Sequence, residues 1–445
     1  MTHERQILAP GRYHFVGVAG VGMSAVAQAM VARGFEVTGS DRYRDEGSAV
    51  DVLPRLEQAG VRLAPQDGSA VDDGTAGVVV STAIEDDNAD LAAARELGTP
   101  VLHRSEALAG LAADRRCVAV TGTSGKSTVT GMIGWILAER GMDPTVVNGA
   151  AVLNWRDAHA IGNFRRGGSE LIVFEADESD RSLLCFHPDW AVVTNASHDH
   201  FGLDETLALF ETFSGQVREG LVSSLREPGL LDGFEAELSA NGSSFRYGGM
   251  DFNVPVPGRH NVENALLAVE LCRRLGMEPQ AIAGALASFR GMHRRLERVG
   301  DAGGATVFDD YAHNPAKVKA AWQALAPYHG RVVAVWRPHG FGPLRGMMEA
   351  LADTFGALSV GSGPAYILPV YDAGGTADRS VGSDVLVDRI RSKGGNAEYV
   401  ADVSALPAAV ARQAREGDVV LVMGARDPGL SSLARSILAA LESGL

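Results

Sequence analysis

Short apolar runs alternate with amphipathic stretches along the whole chain. The runs read YHFVGV, FEVTGSD, GVVVSTAI and PVLHR, then CVAVTG, LIVFEAD and WAVVTNAS, and later ATVFDDYA, RVVAVW, AYILPVY and DVVLVMG. Nearly continuous Val, Ile and Leu mark strands buried on both faces. Their alternation with helical periodicity predicts parallel sheets joined by crossover helices, an α/β fold class. Helices are expected over 23–34, 91–98, 126–140, 203–219, 261–275, 314–326, 344–354 and 429–441. Two seams break the pattern. LAGLAADRRCVAV separates a compact first set from one that restarts, and an Arg-rich turn with a glycine pair precedes a fresh strand at ATVFDDYA. They set expected domains at 1–110, 111–296 and 297–445, with 221–250 read as an irregular insert or edge.

Length agrees: 445 residues correspond to about three domains at roughly 150 residues each. Composition excludes some classes. Hydrophobic residues make up 46% and charged residues 21%, and no apolar run approaches the roughly 18–20 residues of a membrane span. The N-terminal MTHERQILAPGRYHFVGVAG lacks the basic end and apolar block of a signal peptide, so a cytoplasmic protein without a membrane partner is expected. A formal charge of −15 argues against a nucleic-acid footprint, which needs clustered Lys and Arg. Cys117, Cys185 and Cys272 are widely spaced in apolar surroundings and read as reduced core residues.

The chain has only four lysines, and Lys126 stands in TGTSGKSTVT directly after CVAV. A glycine turn between a strand and a helix aims backbone N–H groups and the helix N-terminus at an anion. With Gly122 and Gly125 in the turn, Lys126 is placed to reach nucleotide phosphates and the Ser127 hydroxyl to hold Mg²⁺. Val120 occupies the first glycine position of the longer P-loop pattern, so this is the shorter G-x-x-G-K-S form. A lysine merely solvated at the helix start is disfavoured, because a cation there opposes the macrodipole unless an anion is present. LIVFEADESD brings Glu175, Asp177, Glu178 and Asp180 to a strand end, and WAVVTNASHDH brings His198, Asp199 and His200 to the next. Oxygen and imidazole donors at these positions suit a metal beside the phosphates. In the first segment Gly17, Gly20 and Gly22 follow a strand, Ala19 replaces the second glycine of a dinucleotide fingerprint, and Asp41 ends the next strand. A redox dinucleotide and another phosphate-bearing ligand both fit that pattern.

Taken together, GVGMSAVA, TGTSGKST, EADESD, VTNASHDH, GRHNVENALLAVE, FRGMHRRLE, DDYAHNPAKV, RPHGF and VMGARDP, in this order over nearly the whole chain, resemble the Mur ligases of bacterial cell-wall synthesis. The likeness is strongest to the branch that joins L-alanine to UDP-N-acetylmuramate. It implies an N-terminal Rossmann-like UDP-sugar domain, a central P-loop-type ATPase with a mostly parallel sheet, and a C-terminal Rossmann-like domain that admits the amino acid. The implied reaction is ATP-dependent amide formation through an acyl phosphate, with domain closure; a sister ligase acting on another amino acid, a peptide or a related nucleotide sugar is the alternative. A carboxylate cannot be aminated directly at neutral pH, so it is first phosphorylated.

By the same resemblance, Gly122, Thr123, Ser124, Gly125, Lys126, Ser127 and Thr128 cradle ATP. Ser127 and Glu175 hold one Mg²⁺ and His200 ligates a second. Asn264 meets the adenine and Arg295 the ATP phosphates, while Asp310 and His313 reach toward the nucleotide and reacting centre. Gly20, Gly22, Met23 and Ser24 receive the sugar diphosphate, Asp41, Ser81 and Ala83 surround the uridine, and His103 lies near the hinge-side end of that site. Lys126, Glu175, His200, Arg295 and His313 are the implied catalytic set, and the implied assembly is a monomer or homodimer. Departures from the family pattern are Ser124 and Asn314 for His, Ser197 for a carboxylate, Gly340 and Pro343 for Arg, and Arg426 for Gly. The last three leave the acceptor amino acid open. With no lysine between 126 and 317, the carbamylated lysine of other family branches has no counterpart.

Overall fold

A computed structural model describes residues 8–48, 50–197, 201–232, 234–372 and 378–444. The first sheet contains β1 (Arg12–Val16), β2 (Glu36–Ser40), β3 (Arg62–Ala64), β4 (Thr75–Val80) and β5 (Val101–His103), in the order β3-β2-β1-β4-β5, with neighbouring strands parallel. The second contains β6 (Arg116–Thr121), β7 (Thr145–Val147), β8 (Phe164–Arg165), β9 (Leu171–Glu175), β10 (Trp190–Val193) and β11 (Gly220–Ser223), ordered β11-β10-β6-β9-β7-β8. Only its short edge strand β8 runs antiparallel. A small sheet comprises β12 (Glu235–Ser239), β13 (Gly242–Tyr247) and β14 (Met250–Val254). The last contains β15 (Glu297–Ala302), β16 (Ala305–Asp310), β17 (Val332–Arg337), β18 (Ala365–Ile367), β19 (Ala397–Tyr399) and β20 (Val419–Gly424), ordered β15-β16-β20-β17-β18-β19 and parallel beyond β15.

The chain forms two compact units. One is the chain up to Ala236 with Ser244–Val254 and His260–Met292; the other is Glu237–Ser243, Pro255–Arg259 and the chain from His293. In the first unit a continuous apolar core runs from Tyr13 and Phe15 through Ala107 and Leu111 to Phe174 and Phe213. The helix Arg104–Ala112 carries it from the first sheet to the second, and so these two sheets pack as one body. In the second unit, apolar layers cover both faces of the sheet, one around Trp336 and Phe355 and the other around Tyr366 and Ile437. The helix Lys126–Glu139 is buried over most of its circumference, as a crossover helix inside a unit must be.

The first sheet holds a fully buried polar group. His14 on β1 meets Thr38 Oγ1 at 2.9 Å through Nδ1 and Asp90 Oδ2 at 3.3 Å through Nε2. Asp90 also accepts from Ser40 and from the Gly68 N–H. Burial alone would raise its carboxyl, but the hydrogen bonds from His14 and Ser40 hold it below the usual range.

The expected helices are all present, at Val21–Ala32, Ala89–Leu97, Lys126–Glu139, Leu203–Ser214, Arg259–Arg274, Pro315–Leu325, Phe341–Ser359 and Leu430–Ser443. Others were not anticipated, among them Val52–Gln58, Arg104–Ala112, Pro279–Ala287, Ser383–Ser392 and Leu406–Gln413. The stretch expected to be irregular contains β11, β12 and β13; the alternation in EAELS, with every second residue exposed, is a half-solvated strand too polar to read as one. The Arg-rich turn continues directly into β15, which pairs antiparallel with β16. All three cysteines are free, with Cys117 and Cys272 buried and Cys185 half-buried at the core margin.

Asp90→Ala leaves His14, Ser40 and the Gly68 N–H without their acceptor and should cost about 2–4 kcal/mol, read as a lower urea midpoint. Because the folded-state carboxyl lies below its ordinary value, its stabilisation is complete above the unfolded pKa near 4 and is lost as pH falls through the folded value. The variant should therefore show a shallower acid limb than the parent below about pH 4.

Candidate active site

Central strands of three sheets end in the loops where the sequence placed its chemistry, as expected for ligands at the carboxyl edge of parallel sheets. β6 lies between β10 and β9 and runs into Gly122, whose φ of +131° suits glycine. A Cβ at Gly122 would stand 2.0 Å from Thr194 Oγ1, and one at Gly125, φ +87°, 2.2 Å from Asn264 Oδ1. The segment after β10 holds the turn: Thr123 N–H donates to Asn195 O at 3.0 Å, Ser124 N–H to Asn195 Oδ1 at 3.1 Å, and Thr194 Oγ1 and Asn195 Nδ2 donate to Ser124 O at 2.7 and 2.9 Å. The turn is thereby fixed in a bare backbone cradle with its glycines facing close neighbours. Ser127 and Thr128 are buried in the first helical turn.

Lys126 opens the helix, and its Nζ donates to Gly122 O at 2.9 Å and to Glu178 Oε2 at 2.6 Å, with Asp177 Oδ1 4.0 Å away. Burial would lower its pKa, yet the charges of Glu178, Asp177 and Glu175 raise it above the ordinary lysine value. A cation is thus locked at the helix N-terminus, against the dipole, by carboxylates from the loop after β9. Glu175 Oε2 accepts from Gly149 N–H at 2.9 Å, and Asn148 Nδ2 donates to Ser127 O at 3.0 Å.

Ser127, Glu175 and the buried Asn148 Oδ1, which has no protein partner, are oxygen donors of the kind a hard divalent cation takes. His200, the expected ligand of a second metal, lies with His198 and Asp199 outside the described residues. Among the described residues no group of three or more His, Cys, Asp or Glu side chains forms a metal cluster. Asp177 is engaged by Arg104 Nη2 at 2.7 Å. Asp180 faces His103 Nε2 at 3.2 Å; burial would raise its carboxyl, but the His103 and Ser182 hydrogen bonds hold it well below the usual range.

The glycine loop after β1 is tied down similarly. Gly17 and Val18 N–H groups donate to Ser40 O, and buried Asp41 accepts from Ala19 N–H at 2.8 Å and Tyr43 N–H at 3.0 Å. Burial pushes the Asp41 carboxyl up. Gly20 caps the helix Val21–Ala32, whose first-turn N–H groups have no helical acceptor. A Cβ at Gly22 would meet the Arg104 guanidinium at 2.3 Å. Met23 and Ser24 are buried, and both Ser24 donors are used within the protein, the hydroxyl on Val21 O and the N–H on Gly20 O. Half-buried Ser81 and exposed Ala83 lie in the turn after β4, and His103 caps the helix Arg104–Ala112 with Glu106 closing a capping box.

In the second unit, Asp310 ends β16 and accepts from Leu296 and Ala312 N–H groups at 2.7 and 2.8 Å; burial raises its carboxyl to about 6. The Arg295 guanidinium stacks 4.9 Å from the Tyr311 ring centre. His313 Nδ1 meets Tyr311 O at 2.9 Å, and burial drives its pKa down to about 3. The expected residues therefore gather as three sets: the Lys126 turn with Glu175 and Asn264, the Gly20 loop with Asp41, and Arg295 with Asp310 and His313. Sequence reading assigned no role to Arg104, Asn148 or Asn195, and passed over Glu178 as the Lys126 partner. Gly340, a departure from the family pattern, caps the helix Phe341–Ser359 at φ +148°, where a side chain is strained.

No helix among the described residues is long and apolar enough to cross a membrane. Family models match successive segments: the Mur ligase family catalytic domain over residues 12–116, the Mur ligase middle domain over 120–212, and the Mur ligase glutamate ligase domain over 294–426. UDP-N-acetylmuramate–L-alanine ligase of Sinorhizobium fredii is 36% identical over 93% of this chain and 94% of its own. The protein of the same name from Paenarthrobacter aurescens is 38% identical over 94% of both. The crystal structure of UDP-N-acetylmuramate–alanine ligase from Thermotoga maritima superposes with a TM-score of 0.78 at 25% identity, covering 98% of this chain and 100% of that one. The chain belongs to the Mur ligase family, ATP-dependent enzymes that form carbon–nitrogen bonds.

Proposed function

We propose that the protein joins L-alanine to the carboxylate of UDP-N-acetylmuramate, using ATP to form an acyl phosphate that the amine then attacks. The observation that carries this reading is Lys126, clamped between Gly122 O and Glu178 at a helix N-terminus. The names of the relatives support the choice of sugar and amino acid. We retain 1–110, 111–296 and 297–445 as the limits of the sugar-nucleotide, ATP and amino-acid domains, and assign the enzyme to the cytoplasm as a monomer or homodimer.

In this reading the triphosphate lies on the turn Gly122–Thr128, where backbone N–H groups and the helix dipole face it. Lys126 exchanges Glu178 for phosphate oxygens, so its positive charge is never left uncompensated. Ser127 and Glu175 would hold one Mg²⁺ and His200 a second, and bound Mg²⁺ would supply charge neutralisation at the transferred phosphoryl group. Asn264, packed on Gly125, borders the adenine end. The first turn of the helix Val21–Ala32 receives the sugar diphosphate at Gly20, Gly22 and Met23, with Ser24 fixing the turn. Asp41, Ser81 and Ala83 line the uridine, and His103, held by Asp180, marks the muramyl end. From the second unit, Arg295 offsets phosphate charge, Asp310 contacts the nucleotide, and neutral His313 is a hydrogen-bond partner for the reacting centre.

Phosphate release with ATP, Mg²⁺ and UDP-N-acetylmuramate should be fastest with L-alanine among the amino acids offered singly. Release with a peptide but with no single amino acid would reassign the enzyme to a peptide-joining sister activity.

Lys126→Ala should lower turnover by about 10³-fold or more and leave UDP-sugar affinity within about twofold by calorimetry, because the lysine's binding partner is the triphosphate. Turnover equal to the parent's would contradict the phosphate role.

A further inference from the structure

In the first unit a cavity of about 440 Å³ opens at the amino edge of the sheet whose carboxyl edge carries the Lys126 turn. Its wall comes from the ends of the helices Val21–Ala32 and Arg104–Ala112, the starts of β7 and β9, and β8 with the glycine pair that follows it. β6 spans the distance between the two edges with six residues, which separates the cavity from Lys126 by about 20 Å. None of its lining residues belongs to the three sets described above.

Three arginines line the cavity: Arg33, Arg115 and Arg166. Arg33 is ion-paired, with Nη2 donating to Asp114 Oδ2 at 2.7 Å. Arg115 is half-buried, and its Nη1 donates to Ser169 O at 3.0 Å and to Thr145 Oγ1 at 3.4 Å. Among the described residues nothing accepts from its Nε or Nη2, and the exposed Arg166 guanidinium has neither a hydrogen bond nor an ion pair.

The nearby acids do not balance this charge. Asp114 is taken by Arg33, and Asp143 by Arg165 and the Gly168 N–H. Glu170 is exposed and forms no ion pair with Arg115. Burial, and then the charge of Arg33, pull the Arg115 pKa below its ordinary value, as crowding among under-compensated cations does. Complementing the carbonyl end of a helix accounts for Arg33, which is the C-cap of Val21–Ala32. The Ser169 bond accounts for part of Arg115. Neither accounts for Arg166 or for the unused donors of Arg115.

The rest of the wall is largely apolar, with Leu111 and Ile172 buried and Phe164 half-buried. Guanidinium forks suit the oxygens of a phosphate, and an apolar wall suits the organic group it carries. The volume falls within the range of small-molecule sites.

We propose that this cavity is a separate ligand site, remote from the catalytic edge, that binds a small organic phosphate through Arg115 and Arg166, with Arg33 adding charge. The site is independent of the substrates assigned above.

Phenyl phosphate titrated into the full-length protein without Mg²⁺, and followed by calorimetry, tests it. Phenyl phosphate should bind about fivefold tighter than inorganic phosphate, because its ring leaves water for the apolar wall. Arg166→Gln breaks no side-chain bond within the protein, so its thermal midpoint should match the parent's while its affinity falls about fivefold or more. Arg115→Lys keeps the charge but loses the fork and should weaken binding by a similar factor. Both losses should persist when every protein also carries Lys126→Ala, which removes the cation of the catalytic turn. Equal affinity in the parent and Arg166→Gln would overturn the proposal, as would binding abolished by Lys126→Ala alone or equal affinity for the two phosphates. Crystals soaked in phenyl phosphate should show it on Arg115 and Arg166, and density confined to the glycine loops after β1 and β6 would defeat the assignment. Each of these failures leaves the ligase reading standing, because neither arginine takes part in it.

Discussion

The first unit's site depends on a cation held where a helix dipole repels it. Lys126 stands at the N-terminus of a buried helix, and three acidic residues, Glu175 ending β9 and Asp177 and Glu178 after it, keep it charged and oriented. Removing one partner of such a buried pair strands the other, a loss of about 3–5 kcal/mol. Glu178 therefore fixes the lysine, holding it extended along the turn with Gly122 O. This also explains why the loop after β9 is so acidic. Glu178 compensates Lys126, Asp177 bridges to Arg104, and Glu175 lies on the Gly149 amide with Ser127 and Asn148 near the same strand ends.

Sheet order explains why these groups meet. β6 is flanked by β10 and β9, so the segments leaving all three strands emerge side by side. Asn195 and Thr194 from one neighbour fasten the glycine turn, and Glu175 and Glu178 from the other supply its charge. β16, β20 and β17 repeat the arrangement in the second unit, where Asp310 pairs in register with Met423 and Trp336 with the same residue. The loops that follow carry Tyr311 and His313, Arg426, and His339. Each sheet thus converts a line of buried apolar strands into a row of adjacent polar loops.

How much of this was legible in the sequence follows from the range of each interaction. The helix at Lys126 was readable because its glycine turn and apolar period are local. The membership of Glu175 and Glu178 in one acidic run was equally plain, but which carboxylate reaches the lysine depends on the twist of a strand next to β6 in space and distant in sequence. Asn195 was invisible for the same reason, since its work is to bond a turn some seventy positions earlier. The strands β12 and β13 escaped because solvent on one face leaves them almost as polar as a loop. Gly340 illustrates the reverse error: it reads as a lost arginine, yet its φ of +148° makes it the residue the helix cap requires.

The formal charge of −15 and the anionic substrates pose an apparent conflict that the local geometry resolves. A field averaged over the surface falls off within about 10 Å at ordinary salt, whereas a cation seated in a partly buried loop acts at contact distance in a lower dielectric. Lys126 meets that condition. Lys126 is half-buried and matched by the carboxylates that follow β6's neighbour β9.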